Sequence, residues 1–171
     1  AGAARGGARG DPPTHRAGMR RLLPLLLALV LPACRGTGAE GVPVPGRMDM
    51  AQLVRPSSPN AALAAPAGFR PVPDIVTRPY GLAPEALFAA VQRVALAQPR
   101  TFAQVAYPEA LQAHFVARSA LMNFPDLIAV QVTPDSGLIL WSRSVYGHSD
   151  FGANRKRLEA WLAALETAVP R

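Results

Sequence analysis

A single cysteine, a single lysine and three histidines leave this 171-residue chain few routes to several kinds of chemistry. With Cys34 alone, no intrachain disulfide can form. His15, His114 and His148 stand far apart with no ligand spacing between them, so neither a metal site nor any other cofactor is expected. The Gly-x-Ser-x-Gly pattern of a hydrolase nucleophile elbow is missing. No apolar run reaches the roughly 20 residues that a membrane-spanning helix needs. Charged residues make up 17% of the chain against 50% hydrophobic, the balance of a globular protein rather than a disordered one. Lys156 is the lone lysine among 18 basic side chains, a bias that fits a GC-rich genome rather than a chemical requirement.

What is present is unevenly spread. The net charge of +7 points first to nucleic acid or another anionic surface. Residues 1–33, however, hold five arginines against Asp11, a net of +4, and the remainder carries only +3. More than half of the excess therefore lies in a segment expected to be removed, and nucleic acid is not an expected partner.

That segment has a recognisable order. Residues 1–18 are Ala-, Gly- and Arg-rich without apolar periodicity, and read as an extension that is not native to the protein. Met19, the expected translation start, is followed by Arg20-Arg21 and a short apolar run from Leu22 to Leu31. A positive stretch before about 7–15 apolar residues is the build of a secretory signal, here over residues 19–33. Pro24 and Pro32 argue against a buried helix instead. Leu31-Pro32-Ala33-Cys34 resembles the bacterial lipobox, in which the cysteine receives a diacylglyceryl group; Pro32 departs from the usual occupant of its position. The resemblance implies a lipoprotein of the bacterial cell envelope, facing the periplasm. Arg35, where an Asp would retain it, implies the outer rather than the inner membrane.

Residues 34–54 are rich in proline and glycine and read as a tether, with the domain proper over residues 55–171. Leu53, Leu63, Phe69 and Ile75 are too apolar for a solvated linker, so residues 52–76 suit an irregular strap on the domain surface. Regular structure is expected from Pro84, a favoured first helical residue, with Leu87, Phe88, Val91, Val94 and Ala95 at helical spacing up to Pro99. Arg100–Ala106 and Leu111–Ser119 read as strands. In the second, Leu111, Ala113, Phe115 and Ala117 form an apolar face and Gln112, His114, Val116 and Arg118 a more polar one. Leu127–Thr133 and Leu138–Tyr146 form a hairpin around Pro134-Asp-Ser-Gly137, whose residues suit a tight turn. A last helix spans about Gly152 to Ala168, with Leu158, Trp161, Leu162, Leu165 and Val169 as its stripe. The expected fold is α+β: a four-stranded, mostly antiparallel sheet with two helices packed on one face.

The run from Ser142 to Glu159, with Arg143-Ser144, Gly147, Ser149-Asp150 and Gly152-Ala-Asn-Arg-Lys-Arg157, resembles the signature of the domain of unknown function 1499 family. Similarity extends through Pro125-Asp-Leu127 and Ala97-Gln-Pro-Arg100, and loosely to Ser58-Pro-Asn60, about residues 55–168 in all. The resemblance implies a small envelope or exported protein and no particular reaction.

Polar residues gather around the last strand–helix junction, and Arg143, Ser149, Asp150, Asn154 and Arg155 are the candidate ligand site. A helix amino end offers free N–H groups and a positive dipole to an anion, and an arginine can fork onto a carboxylate or phosphate. The structural alternative is that Ser149 and Asp150 cap the helix, Asp150 pairs with an arginine and Asn154 braces the turn. His148-Ser149-Asp150 holds the residue types of a triad, but three successive residues cannot converge as a triad must. A hydrolase using residues 143–155 is thus the secondary expectation. The primary one is a non-enzymatic envelope lipoprotein that binds an envelope protein or a small anionic ligand.

Overall fold

The computed structural model describes Gly2, Gly36 and residues 38–169. Apart from Gly2, the expected extension, the expected signal peptide at 19–33 and Cys34 lie outside the described residues. Eight regular elements follow a short 3-10 turn at Met50–Gln52. They are β1 (Ala61–Pro66), β2 (Ile75–Thr77), α1 (Pro84–Ala97), β3 (Thr101–Tyr107), β4 (Gln112–Arg118), β5 (Pro125–Val132), β6 (Leu138–Ser144) and α2 (Ala153–Ala168).

The six strands form one sheet in the order β2-β1-β6-β5-β4-β3. β1 runs parallel to β2, and every other neighbouring pair is antiparallel. The fold class is α+β as expected, but the sheet has six strands and is mixed, not four-stranded. The two additional strands come from the stretch read as an irregular strap. β1 is Ala-Ala-Leu-Ala-Ala-Pro, without the β-branched residues or polar alternation that announce a strand. It lies inside the sheet between β2 and β6, and Ala62, Leu63, Ala64 and Ala65 are all buried. A strand covered on both faces has no polar face to alternate with. β2 is only three residues long and follows Pro73 closely, so its period cannot be seen.

Both helices pack on one face. α1 opens with Pro84 and Glu85 and buries Leu87, Phe88, Val91, Val94 and Ala95. α2 buries Leu158, Trp161 and Leu165. They meet Ala62, Ala64, Phe115, Ile128, Val130 and Leu140 from the sheet in one apolar cluster. Trp161 stands edge-on to Phe115, with ring centroids 5.8 Å apart.

The second face is covered as well. Residues 38–53, most of the segment expected as a free tether, lie along it. Met48, Met50 and Leu53 pack with Leu63, Ala129, Ile139 and Trp141. The strap forms no strand ladder with the sheet, and its carbonyls take hydrogen bonds from side chains of the sheet. Gln104 Nε2 donates to Val42 O and Pro43 O at 3.2 and 3.0 Å, and Tyr107 Oη to Pro45 O at 2.8 Å. Gln112 pairs with Met48 both ways: its Oε1 accepts from Met48 N at 2.7 Å and its Nε2 donates to Met48 O at 2.8 Å. The polar face expected of β4 is therefore interior, and all seven of its residues are buried.

Candidate functional site

The β6–α2 junction is built around Asn154, a fully buried side chain in the first turn of α2. Its Nδ2 donates to Asn60 O at 2.9 Å, Ser144 Oγ at 3.0 Å and Asp150 Oδ2 at 2.7 Å. Its Oδ1 accepts from Ser142 Oγ at 2.5 Å and from Arg157 Nη1 at 2.7 Å. Arg157 continues the chain, with Nη1 donating to Ser142 Oγ at 3.0 Å and Nη2 to Asp126 Oδ2 at 2.6 Å. Asn60 in turn donates from Nδ2 to Gly147 O at 2.7 Å and ties the loop after β6 to the entry of β1. One connected network thus joins β1, β5, β6 and α2.

Asp150 closes the amino end of α2. Oδ1 accepts from Gly152 N and Oδ2 from Asn154 N, both at 2.9 Å, while its backbone carbonyl accepts from Ala153 N at 3.0 Å. Partial burial on its own would raise the Asp150 pKa. The N–H groups of Asn154 and Gly152 and the Asn154 amide outweigh that and hold it below the ordinary carboxylate value. The helix end therefore already carries an anion, the protein's own carboxylate, where an external one would bind. Ser149 Oγ accepts from Phe151 N at 3.2 Å.

The five expected site residues are not brought to one place. Ser149, Asp150 and Asn154 cluster at the helix end, with Asp150 capping and Asn154 bracing. The arginine expected beside Asp150 pairs elsewhere: Arg157 is on Asp126, and Arg155, on the outer side of the helix, is on Glu159 at 2.9 Å. Arg143 alternates with Ser142 and Ser144 along β6, which places it on the opposite face of the sheet. There it is exposed, beside Trp141, Arg55, Gln52 and Asp49 in an open hollow of about 420 Å³. Asp126, Arg157, Ser142 and Asn60 complete the network without having been singled out. Pro125-Asp126 and Ser58-Pro-Asn60 were visible in the family-like pattern, but nothing local says that they converge.

No nucleophile–base pair arises from this geometry. Ser142 is bonded to Asn154 and Arg157, and His148 is exposed. His114 lies under the strap, bonded through Nε2 to Gln112 Oε1 at 3.0 Å, and burial pushes its pKa below the usual imidazole value. Among the described residues no three His, Cys, Asp or Glu side chains are placed to hold a metal ion. A larger open cleft, about 650 Å³, lies on the strap face near the 108–111 turn and the β5–β6 hairpin; Arg47, Phe69, Glu109, Gln131 and Thr133 line it.

Comparison with known families gives one match: the model described as "Protein of unknown function (DUF1499)" covers residues 53–165. No curated protein and no solved structure matches the chain.

Proposed function

We propose that this chain, which belongs to the DUF1499 family of proteins of unknown function, is a bacterial envelope lipoprotein whose domain is a non-enzymatic binding module. The observation that carries the anchor is the order Arg20-Arg21, apolar run, Leu31-Pro32-Ala33-Cys34. Lipid on Cys34 tethers the protein to a membrane facing the periplasm, the outer membrane by the residue at position 35. Two or more acyl chains give stable attachment where one gives only marginal binding. The binding half is supported by how the polar groups are used. Ser142, Asn154, Asp150, Asp126 and Arg157 satisfy one another, which suits a rigid scaffold rather than a reaction centre. For a small anionic ligand or an acidic patch of an envelope protein, the open hollow at Arg143 is a better seat than the capped helix end.

Fractionation tests the anchor. Wild-type protein should sediment with membranes and be released by detergent but not by high salt, whereas Cys34→Ala should lose that behaviour. Salt-extractable wild-type protein would overturn the anchor. Arg143→Ala tests the binding seat. Protein abundance should stay unchanged while the phenotype of the deletion appears, and a fall in abundance would make Arg143 a structural residue.

A further inference from the structure

The chain enters the domain at one end of the sheet, very close to the proposed anchor. Gly36 lies two residues beyond Cys34, at most about 7 Å of extended backbone. Its carbonyl accepts from Asn123 Nδ2 at 3.0 Å. Arg118 holds the residues that follow, Nε donating to Gly38 O at 2.7 Å and Nη2 to Glu40 O at 2.6 Å. Asn123 belongs to the loop joining β4 to β5, so this loop holds Gly36, two residues along the chain from the acylation position. In the same loop Leu121 is 91% exposed and Met122 55% exposed.

The β6–α2 connection reaches the same end. Val145 N donates to Pro125 O at 3.3 Å, and the Phe124 and Tyr146 rings lie 6.0 Å apart. This connection presents Phe151, 91% exposed at φ +52°. Left-handed backbone is costly for a bulky residue, and within the domain the ring buries almost nothing in return. Two cations belong to the same end of the sheet. Arg100 donates to the neutral acceptors Arg118 O and Asn123 Oδ1, and Lys156 is exposed in the first turn of α2.

We infer that this end of the sheet is a docking surface for an anionic phospholipid bilayer. Leu121, Met122 and Phe151 enter the interfacial region, and Arg100 and Lys156 face the lipid phosphates. The inference rests on acylation of Cys34 and deepens it. An anchor two residues from Gly36 holds the apolar tips at high local concentration beside the bilayer, so weak individual insertions act together. The domain then stands on the membrane in one orientation, and the cleft lined by Arg47 and Thr133, near the other end of the strands, faces away from it.

The test uses the full-length protein isolated from membranes, in vesicles of phosphatidylglycerol and phosphatidylethanolamine. A polarity-sensitive fluorophore is attached to Leu121→Cys or, as a control at the start of α1, to Glu85→Cys. The probe at 121 should shift to the blue and be shielded several-fold from an aqueous quencher relative to the probe at 85. Equal quenching of both on a chain whose mass shows acylated Cys34 overturns the docking surface and leaves the anchor standing. A chain with unmodified Cys34 overturns both.

Discussion

Asn154 has no exposed surface, yet its amide holds groups that are distant in sequence: the Asn60 carbonyl, the β6 serines and the Arg157–Asp126 pair. Buried polar groups that lose a partner carry their desolvation cost uncompensated. Asn154→Ala strands several at once and should destabilise the domain by about 2–4 kcal/mol, read from urea unfolding. Asp150 makes a different prediction. Its carboxyl titrates below the ordinary value in the folded protein, so its contribution is fully present above pH ~4 and is lost as pH falls through the depressed value. Asp150→Asn should flatten that part of the acid-unfolding profile and, because one of the two accepting oxygens becomes a donor, cost about 1 kcal/mol of hydrogen bonding near neutrality. The cap itself was legible, because Ser149-Asp150 stands immediately before a helical stripe. Asn154's role as a hub was not, since its partners at 60 and 142 are reached only through the fold. The separation of Arg143 from the other candidates follows from strand alternation, and clustering by sequence position hides it.

At the level of elements, the strap is held by side chains of the sheet rather than by strand pairing. Gln112 carries its most complete contact, bonded to both backbone groups of Met48. Gln112→Leu keeps the side chain's volume and removes both bonds. Trypsin should then cut after Arg47 markedly faster, while cleavage after Arg93 in α1 keeps its rate; equal rates at both would mean that the strap is held by its methionines instead. The two helices, the four strands β3 to β6 and the 134–137 turn were readable because each carries its own period or turn residues. β1 was not readable, because its alanines serve close packing on both faces and leave no period. The strap was hidden for a related reason. Its prolines and glycines read as solvated spacer, although its carbonyls take bonds from buried Gln112 and Arg118 and from half-buried Tyr107. Gln112 and Arg118, polar residues buried on β4, were the available signal that something covers the second face.

At the largest scale the described domain is a six-stranded sheet with two helices on one face and the 38–53 strap on the other. Its polar junction is internally satisfied, and three exposed apolar side chains, Leu121, Met122 and Phe151, lie at the end of the sheet where the chain enters. None of the helices among the described residues is long and apolar enough to cross a membrane. The proposed attachment is through lipid on Cys34. The most direct measurement is the intact mass of the protein from the membrane fraction, compared between wild type and Cys34→Ala. The expected mass is that of a chain beginning at Cys34 with acyl groups added, absent from the variant. A soluble chain cut elsewhere, or one retaining Ala1, would contradict the lipoprotein.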